Sequence, residues 1–317
     1  MTHEVPSRTL PSAALQETVQ RALKRTPLRF TRRNFLAGAG ALAAGLTIDS
    51  GMIARHSLEV VPQVLKIARL PEAFHGYRIA QISDIHLDAF TEPLFLSLAI
   101  RRLNQLAPDL VLLTGDFASH GPLSPAFARH AVVHCAELLH EIACPLRYAI
   151  LGNHDTGIGS AFVVAALKAS HIPTLVNQHV PIERNGQRFW LCGLDDPGTS
   201  NPILDLAVPR DPDGPVILLS HPPDFADEVV RHPRGALVDI MLAGHSHGGQ
   251  VRLPFLGPLV LPPMGEKYVE GFYRFKQMQL YVNRGLGTVG LPFRLNCPPE
   301  ITLFTMQDDS PIKKLSS

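Results

Sequence analysis

With 317 residues and 45% hydrophobic side chains, the chain is long enough for one large α/β domain and rich enough to bury its core. Its 29 Lys and Arg nearly cancel 28 Asp and Glu, and a net charge of +1 lacks the basic excess of a phosphate-backbone binder, so no nucleic acid is expected as a partner. Cys135, Cys144, Cys192 and Cys297 are scattered, without a C-x-x-C pair, and read as small buried hydrophobes rather than a zinc framework. A Cys135–Cys144 disulfide stays open for an oxidising compartment but is not predicted.

In chain order, residues 1–30 are polar and mixed. Thr31-Arg32-Arg33-Asn34-Phe35-Leu36 and the mildly apolar run Ala37–Leu46 follow. Adjacent arginines before a short Gly/Ala-rich apolar stretch resemble a bacterial twin-arginine export signal. The region before the arginines is long and no A-x-A cleavage site follows. Phe35–Ala54 is near the roughly 20 residues of a spanning helix, so an uncleaved membrane anchor also fits. Either way the domain is expected outside the cytoplasm, in the periplasm or cell envelope, after passage through the twin-arginine export machinery. The expected organisation is an N-terminal extension over 1–56, one domain over 57–306 and a polar tail over 307–317.

Within that domain a lead-in strand precedes Phe74-His75-Gly76-Tyr77. Short apolar runs at Arg78–Ser83, Leu110–Leu113 and Leu146–Leu151 then predict strands. Pro93–Leu106, Pro125–Ile142 and Ser160–Ala169 predict helices. Asn185-Gly186 between Val180–Glu183 and Phe189–Leu194 predicts a hairpin, because both turn residues tolerate positive φ. Further strands are expected at Pro215–Leu219, Val238–Leu242, Gln250–Leu253, Tyr268–Phe275, Leu280–Asn283 and Glu300–Thr305. An alternating first half and a strand-rich second half predict two packed sheets with helices outside.

Five of the strands end in polar blocks: Asp84-Ile85-His86, Gly115-Asp116, Gly152-Asn153-His154-Asp155, Ser220-His221 and Gly244-His245-Ser246-His247. Any one block also fits a helix cap or a turn. Five in succession, each after an apolar strand, point to a shared site at the strand ends. Carboxylate, imidazole and one amide oxygen suit two divalent ions such as zinc, manganese or iron, and the lack of a cysteine ligand argues against structural zinc. Two adjacent ions need an anionic bridge, and Asp116 is the candidate.

The blocks D-x-H, G-D, G-N-H-D, a lone H and G-H-x-H stand here in the order of the calcineurin-like metallophosphoesterase superfamily, which residues 78–253 resemble. Gly248–Pro254, Asn283–Gly287 and Pro299-Glu300-Ile301 extend the resemblance to its exported or membrane-associated bacterial phosphodiesterase branch. That resemblance implies a four-layer α/β/β/α sandwich of two mixed sheets. It implies that Asp84, His86 and His247 hold one ion, that Asn153, His221 and His245 hold the other, and that Asp116 bridges them. It further implies that His154 faces the substrate phosphate and Asp155 orients the His154 ring. Hydrolysis of a phosphodiester or phosphomonoester by a hydroxide shared between the ions is the expected reaction.

Substrate recognition is less sharply written. Arg284 between Asn283 and Gly285 fits a phosphate contact or a salt-bridged loop position. Pro254–Pro263 and Leu286–Phe293 are apolar Pro/Gly-rich loops that fit either a lipid-facing lip or packing under the sheet edge. The leading expectation is an envelope or lipid-linked phosphate ester at a membrane surface. A UDP-2,3-diacylglucosamine pyrophosphatase of lipid A synthesis is the alternative, and a catalytically silent metal-binding envelope protein is the alternative of another class.

Overall fold

The computed structural model describes residues 49–88, 91–121 and 124–309, with isolated positions 35, 36, 40, 45 and 47 upstream. Arg32-Arg33, most of the apolar run over 37–46 and the end of the tail lie outside the described residues. The chain divides into two units, Met1–Leu46 and Thr47–Ser317, and every described strand belongs to the second. Among the described residues no helix is long and apolar enough to cross a membrane.

The first sheet has the order β1-β13-β2-β3-β4, formed by β1 (Glu59–Ile67), β13 (Glu300–Asp308), β2 (Arg78–Ile82), β3 (Leu110–Leu113) and β4 (Arg147–Ala149). The second has the order β11-β12-β8-β7-β6-β5. Its strands are β11 (Gly271–Arg274), β12 (Gln279–Val282), β8 (Ile240–Ala243), β7 (Val216–Leu219), β6 (Gln187–Gly193) and β5 (Gln178–Arg184). Alternation along each strand feeds two different cores. Ile79, Leu110, Leu112, Ile217, Leu219, Ile240 and Leu242 point between the sheets. Their neighbours Ala80, Ile82, Val111 and Leu113 face helices α1 (Pro93–Leu106), α2 (Pro125–Leu139) and α3 (Asn153–Ala169). On the far side Val216, Leu218, Met241 and Ala243 pack in a third cluster with Leu204 and Ala207 of α4 (Leu204–Ala207) and with Ala226 and Val229 of α5 (Ala226–Arg231). Four layers result, helices outside and sheets inside, as the strand pattern predicts.

Local chemistry explains most element ends. Pro125 opens α2 behind Ser124, whose hydroxyl accepts the Phe127 amide. The β5–β6 hairpin turns on Asn185 and Gly186, at φ 52° and 73°. Two expectations shift. The third helix starts at Asn153 instead of Ser160, with a break at Gly159 (φ 127°) that hides its first turn from the apolar periodicity. Gln250–Leu253 contributes only β9 (Arg252–Leu253), which pairs with β10 (Gly257–Pro258) in a small hairpin apart from both sheets.

Strands β2, β3 and β4 run parallel, as do β6, β7, β8 and β12. Their carboxyl ends therefore open on one edge of the sandwich. Gln81 ties the two sheets there, its amide donating to Thr114 Oγ1 at 3.0 Å and to the Ala243 carbonyl at 2.9 Å. The four described cysteines are buried and free.

Candidate metal centre

The loops after β2, β3, β7 and β8 interlock at this edge. The Asp84 amide donates to the Gly115 carbonyl, the His86 amide to the Asp116 carbonyl and the Leu87 amide to the Phe117 carbonyl, each at 3.0 Å. The His245 amide donates to both carboxylate oxygens of Asp84, at 2.9 and 3.0 Å. Five of the seven expected ligands lie in the left-handed backbone region: Asp84 (φ 49°), His86 (47°), Asp116 (58°), His245 (70°) and His247 (52°). Such backbone costs on the order of 1 kcal/mol per residue and persists only where the surroundings over-determine it. Here it turns successive ligands inward while the loops keep pairing. Close approach also needs bare backbone. A Cβ at Gly152 would overlap Asp116 Oδ1, and one at Gly244 would overlap Ser83 Oγ and Asp84 Oδ2.

Six of the seven expected ligands converge. Nε2 of His86 lies 3.1 Å from Nε2 of His247 and 3.3 Å from Oδ2 of Asp116, and Nε2 of His247 lies 3.5 Å from Oδ1 of Asp84. Nε2 of His221 lies 3.2 Å from the same Asp116 Oδ2 and 3.2 Å from Nδ1 of His245. Asp116 Oδ2 thus stands between two histidine groups, while its Oδ1 accepts the His154 amide at 2.9 Å. Asn153 Oδ1 is buried without a hydrogen-bond partner, at the start of α3.

Hydrogen bonds on the far side of three rings fix what the near side offers. His221 Nδ1 lies 2.7 Å from the Thr114 carbonyl and His245 Nε2 lies 2.8 Å from the Pro263 carbonyl. A carbonyl only accepts, so each of those nitrogens carries the proton and the inward nitrogen presents a lone pair. His86 Nδ1 faces Ser119 Oγ at 3.3 Å, and that hydroxyl donates to Asp88 Oδ2 at 2.6 Å, which leaves Oγ to accept from Nδ1–H. Lone pairs aimed at one another about 3 Å apart need a proton or a metal cation between them. Ligand atoms about 2.0–2.1 Å from a shared ion are roughly 2.9–3.4 Å apart along tetrahedral or octahedral edges, which the separations match apart from the 3.5 Å between His247 and Asp84. The donor set fits divalent ions on either side of Asp116.

Charge is consistent with this cage. Burial raises the Asp116 carboxyl, but His221 and His86 against it hold it well below the usual carboxylate range. Burial lowers His221 and His86, yet the carboxylates of Asp116 and Asp84 leave both above the ordinary imidazole value.

His154 lies beside the cage, its ring centroid 4.6 Å from that of His86. Its Nδ1 accepts the His120 amide at 2.8 Å, so the neutral ring carries its proton on Nε2 as a donor. Burial drives its pKa down to about 4. Although His86, Asp116 and His154 are close enough to hold an ion together, this tautomer leaves Nε2 no lone pair to give. Asp155 departs from expectation. Its carboxylate does not orient the His154 ring but accepts the amides of Asp116 (2.7 Å), Phe117 (3.0 Å) and Gly152 (2.9 Å), locking the bridging loop to the start of α3. Burial and the Asp116 charge push its pKa up to about 7, and the three N–H donors oppose that rise. Arg284 takes the second of its two expected places, the salt-bridged loop position. Its guanidinium donates to Glu300 at 2.6 Å and to Glu59 at 2.9 Å, so it binds its loop to β13 and β1 instead of standing free for a phosphate.

Sequence reading missed Asp88, Ser119 and Arg294. Asp88 continues the alternation Asp84-x-His86-x-Asp88, a signal that was available. Arg294, wholly buried, donates to the carbonyls of Gly287, Arg284 and Cys297 and so holds the loop whose Gly287 and Leu286 amides donate to the carbonyls of Asp84 and Ser83. Nothing in its local sequence marks it.

Comparison with known proteins agrees with this geometry. A family model described as calcineurin-like phosphoesterase matches residues 77–249. The chain is 35% identical to the Bacillus subtilis protein named uncharacterized metallophosphoesterase YkuE, across 88% of this chain and 98% of the relative. It is 31% identical to phosphodiesterase YaeI of Escherichia coli, across 87% and 99%. It is 28% identical to UDP-2,3-diacylglucosamine pyrophosphatase LpxG of Chlamydia trachomatis, across 76% and 89%. With its five ligand blocks folded into one cage, the chain belongs to the calcineurin-like phosphoesterase family and is a metal-dependent phosphoester hydrolase.

Proposed function

We propose that this hydrolase is a dinuclear phosphodiesterase acting outside the cytoplasm on an envelope or lipid-linked phosphate ester. The observation that carries the dinuclear reading is Asp116 Oδ2, 3.3 Å from His86 and 3.2 Å from His221, with a separate set of inward lone pairs on each side. Asp84, His86 and His247 would hold one ion and Asn153, His221 and His245 the other. Divalent ions at these positions supply Lewis acidity to a phosphoryl oxygen and acidify a water. The Thr114 and Pro263 carbonyls and the Ser119 hydroxyl take the outward N–H of His221, His245 and His86, which turns the other nitrogen of each ring toward an ion. His154 donates from Nε2 to the leaving oxygen as negative charge develops there. Hydrolysis of bis(p-nitrophenyl) phosphate with Mn²⁺ tests the reading, with Asp116→Asn expected to bring turnover to background and bound metal below two ions per chain. Unchanged turnover in that variant would remove the bridge.

The relative named as a diesterase supports this choice, and the twin-arginine-like segment supports the location. A UDP-2,3-diacylglucosamine pyrophosphatase is the second reading, favoured by the 28% identity to the chlamydial protein of that name. Protease access to residues 60–317 in intact spheroplasts separates them, because a cytoplasmic nucleotide-sugar lipid requires an inward-facing domain.

A further inference from the structure

Among the described residues the three most exposed large apolar side chains are Phe255 and Leu256 (78%) in the β9–β10 turn and Val260 (79%) just after β10. Phe255 is fully exposed and holds φ 68°, a backbone that bulky residues rarely adopt. From Leu253 to Gly265 the chain has no charged or hydrogen-bonding side chain. Pro254, Pro258, Pro262 and Pro263 also remove four backbone donors from the segment.

This tip roots in the metal centre. Pro263 accepts from His245, and the Leu259 amide donates to the Val251 carbonyl. Two further exposed apolar segments are tied to the same rim. Gln250 donates to the Val289 and Leu291 carbonyls and accepts the Val289 amide, which holds exposed Leu291 beside the hairpin base. The Arg294 amide donates to the Ser50 carbonyl where the chain enters the domain, next to exposed Met52 and Ile53. In sequence, that entry follows directly on the apolar run that ends at Leu46.

We propose that this rim, formed by residues 253–260, 289–291 and 52–53, inserts shallowly into a lipid bilayer and presents the metal centre to phosphate esters of membrane lipids. A protein partner would meet such a tip with hydrogen bonds that it has no side chains to return, whereas acyl chains ask for none. The prolines lower the cost of taking backbone out of water. Protruding side chains on a short hairpin suit a fluid surface, and the apolar chain that leads into the rim points to the same phase. The lipid-ester part rests on the proposed function; the insertion does not.

Full-length Phe255→Trp, mixed with phosphatidylcholine–phosphatidylglycerol vesicles carrying brominated acyl chains, reads the tip directly. The added tryptophan is expected to shift blue and lose at least half its emission, while Trp190 of the wild type is unaffected. No quenching would overturn the insertion, and so would a vesicle-free blue shift that grows with protein concentration, which would assign the rim to a second copy. Leu256→Ser/Val260→Ser is expected to lower hydrolysis of a vesicle-embedded chromogenic phosphodiester at least tenfold, with bis(p-nitrophenyl) phosphate turnover within twofold of wild type. Equal loss on both substrates would overturn the presenting role. Quenching without any lipid hydrolysis would support the insertion and remove the lipid-ester reading instead.

Discussion

In one half of the centre both imidazoles lean on main-chain carbonyls, Thr114 for His221 and Pro263 for His245. In the other half His86 leans on the Ser119 hydroxyl at 3.3 Å, itself aimed by Asp88, and His247 Nδ1 is buried without a partner. The Thr114 carbonyl directly follows β3 and the Pro263 carbonyl is also main chain, whereas a hydroxyl can rotate and an unpartnered ring can tilt. The Asn153 half is therefore the rigid one and the Asp84 half the compliant one. Second partners of this kind change metal affinity about 10–100-fold, so the halves are expected to load with different affinity and exchange at different rates.

The largest expected effect concerns the histidine that belongs to neither half. His154→Ala should lower turnover about 10²–10³-fold while two ions remain bound, as measured by kinetics alongside elemental analysis. Loss of an ion would make His154 a ligand and blur the division. Next, Ser119→Ala should weaken one ion about tenfold and leave the other unchanged in a competition titration with a chelator, and Asp88→Asn should follow the same pattern more mildly. Equal weakening of both ions would show that the halves are not independently held.

A third test uses acidity. His221 and His86 sit above the ordinary imidazole value because of the carboxylates facing them, so protons and ions compete for one cage. Retained protons stabilise the metal-free chain below about pH 6.5, and that stabilisation is lost as pH rises through the raised values. The Tm gain on adding Mn²⁺ should therefore grow between about pH 6 and 8, with proton release seen by calorimetry in two buffers. A gain independent of pH would contradict the competition. The smallest expected effect on chemistry is that of Arg284→Ala. Leaving Glu300 without its partner should cost about 2–4 kcal/mol in denaturant unfolding, while KM for a soluble diester holds within twofold. A tenfold rise in KM would return Arg284 to the substrate.

The sequence discloses the strands and the ligand blocks for one reason: parallel strands buried on both faces are short continuous apolar runs, and the polar residues that end them stand out. The gathering of those blocks at one edge was legible in that way, and so was the Asn185-Gly186 turn. What stayed hidden depends on contacts between distant loops. The pattern Gly-Asn-His-Asp does not say that Asp155 will collect three amides, two of them from the loop after β3. Nor do ligand residues advertise a left-handed backbone, since Asp and His carry no glycine-like mark. The pairing of Arg284 with Glu59 spans 225 positions and depends on β1 reaching the edge of the first sheet.

That edge has a temporal consequence. Strand β13 lies between β1 and β2, pairing with β1 over nine positions from Glu59↔Glu300 to Ile67↔Asp308. The first sheet therefore stays open until β13 leaves the ribosome. Glu300, which receives Arg284, Tyr281 and Asn283, arrives with that final strand. The loop that backs Asp84 acquires its Glu300 anchor at the same moment, so a nascent chain cut short before β13 carries all seven candidate ligands yet lacks the closure that aligns them. Closure of this centre waits on β13 by topology alone.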